Sequence, residues 1–130
     1  MVKSKYCFKT EKDLCAAFIQ YAKALDFSVY PEVMDWDILL VRSDGIQFGI
    51  EAKLNPNLQV LMQAYPQEAS SKYYRKDGFD CAVGPHYRCV LTDKDIPGFM
   101  NLARGLRLIS IGYQPFHSFT MFDSWTRRQD

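Results

Sequence analysis

Two apolar runs separated by three residues constrain this chain most. Asp37–Arg42 reads Asp-Ile-Leu-Leu-Val-Arg, Ile46–Lys53 reads Ile-Gln-Phe-Gly-Ile-Glu-Ala-Lys, and Ser43-Asp44-Gly45 lies between them. Short runs rich in β-branched and apolar residues, bounded by Asp-Gly, predict two strands of a hairpin. The loop length then decides which side chains meet. A three-residue loop pairs residue 42 with residue 46, which sets Asp37 opposite Glu51 and Asp35 opposite Lys53. A two-residue loop sets Asp37 opposite Ala52 and turns the two carboxylates to opposite sides of the sheet, because side chains alternate with period two. The first register is expected, with Gly45 at positive φ. It also places Gly49 on the face of Glu51, leaving room for a bulky ligand.

The rest of the chain reads as one domain, residues 1–130, without repeats, low-complexity tracts or Pro/Gly-rich linkers. Thr10 is an N-cap with Glu11 and Asp13 in the first turn. Leu14, Phe18, Tyr21 and Leu25 then recur on one face, predicting a helix over about residues 11–25. Phe27–Val33 is a strand, and Pro31 marks an edge or a bulge. Asn55-Pro56 predicts a cap followed by Pro at the first helical position, and Leu58, Leu61, Met62, Tyr65 and Ala69 an apolar helical face. Pro66 kinks or splits that helix. Phe79–Pro85 and Tyr87–Leu91 are strands, Ile96–Leu106 a short helix and Arg107–Tyr113 a last strand. The order α-β-β-β-α-β, with additions, predicts an α/β or α+β sandwich with a mixed sheet.

Composition excludes several classes. Hydrophobic residues make up 48% and charged residues 24% of the chain, which is neither disordered nor fibrous. The formal charge is +1, so no overall basic field marks nucleic-acid binding, although a local basic groove stays open. Four cysteines, at 7, 15, 81 and 89, form no Cys-x-x-Cys pair and read as reduced, packed thiols of a cytoplasmic protein. No apolar run approaches the ~20 residues that span a bilayer. No Gly-rich phosphate loop occurs, so no nucleotide cofactor is expected.

Charge sits at one end of the apolar hairpin. Glu51 and Lys53 are two apart and share a face. Paired carboxylates need a cation, a proton or a lysine beside them. Oxygen donors suit Mg²⁺ or Mn²⁺. Such an ion orients and acidifies water and stabilises phosphate charge. A solvated salt-bridge face is the plain alternative for Glu-x-Lys. Glu11 shares a helix face with Leu14 and Phe18 and either complements the helix dipole or adds a carboxylate to the site.

Glu11, then Asp37-Ile-Leu-Leu-Val, then Gly49-Ile-Glu51-Ala-Lys53, followed by Gln63-Ala in the next helix, resemble the PD-(D/E)XK nuclease superfamily. That group includes restriction endonucleases, Holliday-junction resolvases and the VRR-NUC nucleases. The resemblance covers about residues 10–90. It implies a restriction-endonuclease-like fold and Mg²⁺- or Mn²⁺-dependent hydrolysis of DNA phosphodiester bonds. It further implies Asp37 and Glu51 as metal ligands, Lys53 as catalytic lysine, and Gln63 and Glu11 as supporting residues. Trp36 stands where the family has proline, which leaves Asp35 a rival to Asp37. The register favours Asp37 and makes Asp35 a salt-bridge partner for Lys53.

Lys72, Arg75 and Lys76, with Tyr73 and Tyr74, form a basic-aromatic cluster at the end of the second helix, either gripping phosphates or solvating a helix end. Arg88 and Arg127-Arg128 are weaker DNA contacts. Trp36 either packs in the core or stacks on a base. Glu32 is either an extra acid or exposed. His86 and His117 are assigned nothing. Phe116, Phe119, Phe122 and Trp125, spaced by threes, serve a homodimer contact or close the core. The rival to the nuclease is an inactive nuclease-like module that binds DNA or a protein, a reading the near-neutral charge favours.

Overall fold

The computed structural model describes residues 7–65, 74–76, 79–81, 85–94, 96–114 and 118–119. Helix α1 (Glu11–Ala24) starts where the hydroxyl of Thr10 accepts a hydrogen bond from the Asp13 N–H, at 3.1 Å. It buries Leu14, Phe18 and Ala22. Leu25, expected on that face, is the C-cap and is 38% exposed.

Strands β1 (Ser28–Val33), β2 (Trp36–Val41) and β3 (Gln47–Lys53) follow as an antiparallel meander. Strand β1 lies at the sheet edge, where a proline is tolerated because its missing N–H is not needed. The β2–β3 register runs from Val41 opposite Gln47 to Ile38 opposite Ile50. The loop therefore has three residues, with Gly45 at φ +89°, as predicted. The Arg42 N–H donates to the Ile46 carbonyl and the Gly45 N–H to the Arg42 carbonyl, both at 2.8 Å. The Arg42 guanidinium holds both oxygens of Asp44, at 2.9 and 2.8 Å, and Asp44 accepts from the Ile46 N–H at 3.2 Å.

Helix α2 spans Leu58–Ala64. Its N-cap is Asn57, whose side chain accepts from the Val60 N–H at 3.1 Å, so the start lies two residues beyond the expected Asn55-Pro56. The buried face also differs from the predicted one. Val60, Leu61 and Ala64 are buried, while Leu58, Met62 and Tyr65 are 60%, 53% and 43% exposed. The helix ends rather than kinks: Tyr65 is extended (φ −67°, ψ 135°), because a residue before proline is driven out of the helical region.

Strands β4 (Tyr74–Lys76) and β5 (Phe79–Cys81) form a separate antiparallel pair. Arg75 and Lys76 are thus on a strand and not at a helix end. Strand β6 (Tyr87–Thr92), helix α3 (Pro97–Gly105), strand β7 (Ile109–Gln114) and the two-residue β8 (Ser118–Phe119) complete the order. The main sheet runs β1-β2-β3-β6-β7-β8, with β3, β6 and β7 parallel. The α-β-β-β-α-β order and the mixed sheet match the predicted α+β class.

Helix α1 covers one face, around Phe18, Ile38, Phe48, Ile50 and Leu91. Helices α2 and α3 cover the other, around Trp36, Leu61, Val90 and Ala103. Phe119 is 4% exposed and packs on Phe18 and Tyr113 with ring centroids 5.1 and 5.2 Å apart, so this aromatic closes the core. Ala69, Lys72, Tyr73, Phe116, His117, Phe122, Trp125 and Arg127-Arg128 lie outside the described residues. No helix among the described residues is long and apolar enough to cross a membrane.

Candidate active site

The candidate site forms where β2 parts from β3. Residues two apart on a regular strand share a face, yet Trp36 belongs to the α2–α3 cluster and Ile38 to the α1 cluster. The strand is therefore twisted out of regular alternation at Asp37, with no extra residue, since the β1–β2 register is the same on both sides of it. The β1–β2 ladder skips the same place: Pro31 pairs with Ile38 and Val33 with Trp36, but the intervening pair, Glu32 and Asp37, is missing. Glu32 has φ +54°, and the two-residue loop Met34-Asp35 has φ +53° and +65°. Positive φ at both loop positions is ordinary for a two-residue hairpin loop, so Glu32 is the strained position.

The Asp37 side chain takes the place of a ladder bond here. Its Oδ2 accepts the Ala52 N–H at 2.8 Å. In the observed register that N–H would otherwise donate to the Trp36 carbonyl. The expectation that Asp37 sits across from Glu51 on one face is corrected here. The ladder holds through Ile38, and the carboxylate then caps the backbone between Glu51 and Lys53.

Glu51 is 5% exposed, a depth at which a carboxylate needs compensation by charge or hydrogen bonds. Its Oε1 is closed to solvent and receives no hydrogen bond from a described residue, while other interactions hold the residue. Lys53 pairs with Glu11, Nζ to Oε1 3.7 Å. The ion pair that sequence offered to Asp35 is therefore made by Glu11, and Asp35 is exposed in the β1–β2 turn.

Beside these groups a cleft of about 480 Å³ runs between α1 and the β1–β2 corner, lined by Glu11, Lys12, Cys15, Glu32, Asp37 and Ala52 among others. Burial, then the negative charge of Asp37, Glu11, Glu32 and Glu51, pushes the Cys15 thiol up to about 12. Four carboxylates thus bear on one point, and Glu32 lines the cleft although exposed. Cys15, read from sequence as packing, forms part of its wall. Among the described residues no three His, Cys, Asp or Glu side chains gather at metal-cage spacing. Carboxylate oxygens are the donor type that Mg²⁺ takes, usually one or two of them with several waters.

Other candidates stand apart. Gln63 is exposed on α2, beside exposed Met62 and Tyr65, which were expected to pack on the sheet. The space foreseen at Gly49 is filled: a Cβ there would lie 2.6 Å from Trp36 Cε2 and 2.7 Å from Pro85 Cγ. Trp36, 3% exposed, is a core residue. Arg88 is spent inside the fold, stacked over Trp36 at 5.4 Å and donating to the Ala64 carbonyl at 3.3 Å. Burial lowers its guanidinium pKa. His86 Nδ1 accepts the Gln47 N–H at 3.0 Å, a structural role.

Sequence reasoning passed over Asp93. It is fully buried at the end of β6 and accepts the N–H groups of Cys7 and Phe8 at 2.6 and 3.2 Å. The signal was present: an acid directly after the apolar run Cys89–Leu91 and Thr92, the same pattern that drew attention to Glu51. Comparison of the chain with family models, with curated proteins and with solved structures returns no match.

Proposed function

We propose that this chain is a metal-dependent nuclease of restriction-endonuclease-like fold that hydrolyses DNA phosphodiester bonds. The observation that carries the reading is the break in the β2 ladder at which the Asp37 carboxylate takes the Ala52 N–H, between buried Glu51 and the Glu11-paired Lys53. Asp37 and Glu51 would hold Mg²⁺ or Mn²⁺. Such an ion supplies an acidified, oriented water and charge stabilisation at the phosphate. Lys53 places its ammonium at the developing phosphate charge, and Glu11 fixes that side chain in reach. A second copy of the chain serves the second cut on a duplex. The reduced cysteines suit a cytoplasmic enzyme.

Two observations favour a second reading, an inactive module that binds DNA or a protein. Asp37 is already satisfied by a backbone N–H, and the formal charge is only +1. The deciding experiment incubates the protein with linear duplex, single-stranded and branched DNA, with Mg²⁺ or Mn²⁺ and with chelator. Cleavage that needs the ion supports the nuclease. Intact DNA in every lane, with no heat on Mn²⁺ titration, supports the binding module.

A further inference from the structure

We propose that Asp93 is a positioning residue for this site: its buried carboxylate straps the chain ahead of α1 so that Glu11 meets Lys53. The proposal rests on the reading of Lys53 as the catalytic amine. Asp93 is fully buried, and its two oxygens accept the consecutive N–H groups of Cys7 (Oδ2, 2.6 Å) and Phe8 (Oδ1, 3.2 Å). Hydrogen bonds to an ionised acceptor are about twice as strong as neutral ones, and here they carry a sequence separation of more than 80 residues.

The same residue reaches the other half of the pair. The Asp93 N–H donates to the Leu54 carbonyl at 3.2 Å, one residue after Lys53, and Thr92 stands beside Lys53 in the β3–β6 register. Asp93 therefore grips the segment that leads through Thr10 into Glu11 and also the strand end that carries Lys53. Phe8 adds an edge-on contact to Tyr113, with ring centroids 4.8 Å apart. The Glu11–Lys53 pair is itself loose, at 3.7 Å and partly exposed. Exposed pairs hold themselves in place weakly, so their geometry depends on how firmly both backbones are anchored.

The test uses the full chain and four variants: Asp93→Asn, Glu11→Gln, the double variant, and Phe8→Ala. Asparagine keeps the size of aspartate but offers one acceptor to two donors. Acylation of the Lys53 amine, read by mass spectrometry, should rise in Asp93→Asn to the level of Glu11→Gln. Cleavage kcat should fall roughly 10- to 100-fold, as for a misplaced catalytic group, with KM for DNA held within about twofold. Glu11→Gln should then cost little more in the Asp93→Asn background, since residues acting through one contact are not additive. If Asp93→Asn does not fold, Phe8→Ala, which loosens the strap from its other side, takes the same readings.

Equal cost of Glu11→Gln in both backgrounds, or Lys53 acylation unchanged by Asp93→Asn and by Phe8→Ala, overturns the proposal. A parent chain that cuts no DNA overturns the nuclease reading separately. Lys53 acylation then decides by itself whether Asp93 sets the Glu11–Lys53 contact.

Discussion

On the nuclease reading Asp37, Glu51 and Lys53 carry different work, and single substitutions separate them. Asp37→Ala or Glu51→Ala removes an oxygen donor and should abolish both Mn²⁺ binding and cleavage. Lys53→Ala removes a cation from beside carboxylates, so Mn²⁺ affinity should stay or rise while cleavage falls about 10²–10³-fold, the usual loss for one preorganised electrostatic contact. Lys53→Arg should not rescue, because the planar guanidinium fork differs from a point-like ammonium. Metal calorimetry paired with cleavage assays checks all four. Loss of metal binding in Lys53→Ala, or full activity in any of them, makes the group a surface charge cluster. Gly49 tests the packing behind the site. A methyl there meets Trp36 and Pro85 at 2.6–2.7 Å, and overpacking a filled core costs about 1–3 kcal/mol. Gly49→Ala should lower the melting midpoint in thermal denaturation. An unchanged midpoint means that Trp36 moves aside freely.

The β2–β3 hairpin is the element on which the site depends, and its loop is directly testable. No atom lies within 4 Å of a Cβ built on Gly45, so only its φ of +89° opposes substitution. Gly45→Val should destabilise by about 1–3 kcal/mol, the cost of a residue held in a sparsely populated backbone region. Gly45→Asn should cost clearly less, because Asn tolerates that region. Equal denaturation midpoints for the two variants contradict the loop assignment. Asp44 tests the same loop by pH. Its hydrogen bonds to the Arg42 guanidinium, chiefly, and to the Ile46 N–H lower its pKa from 3.8 to about 2. A carboxylate with a lowered folded pKa stabilises above its unfolded value and loses that contribution as pH falls through the folded one. Acid titration of the parent should therefore show a component between about pH 4 and 2 that Asp44→Asn lacks. This hairpin was legible because Asp-Gly lies between two apolar runs, whereas these residues allow two loop lengths and the register is set by Val41 opposite Gln47. The break in the ladder at Asp37 was not, since Glu32 opposite it takes positive φ without a glycine to announce it. Helix α2 was half legible: its apolar residues form two rows that share Leu61, and the row Leu58-Leu61-Met62-Tyr65 was read as inward where Val60, Leu61 and Ala64 are buried. Strand β5 lies within the predicted strand Phe79–Pro85, whereas β4, three residues long, is too short to show a period.

Across the whole molecule, negative charge gathers where a phosphate backbone would have to come. Glu11, Glu32, Asp37 and Glu51 all act on Cys15, while the chain as a whole carries only +1. Among the cleft residues named above, Lys12 is the one cation, and Lys53 is tied to Glu11. A polyanion approaching this surface meets carboxylates across less than a Debye length, about 8–10 Å at ordinary salt, so repulsion is barely screened. A divalent ion at Asp37 and Glu51 reverses that local field. The nuclease reading therefore requires DNA affinity to depend on the ion, independent of chemistry. Fluorescence anisotropy of a labelled duplex should show at least about tenfold tighter binding with Ca²⁺ than with chelator, or ~1.4 kcal/mol. Asp37→Asn should tighten binding in chelator and flatten the response to Ca²⁺, because it removes one repelling charge and one ligand together. A module that binds DNA through surfaces elsewhere predicts the opposite pattern: equal affinity with and without the ion, and no effect of Asp37→Asn. The two readings share a fold and nearly all of its residues, and they part on this single dependence, because only one of them asks a phosphate to enter a cleft walled with carboxylates.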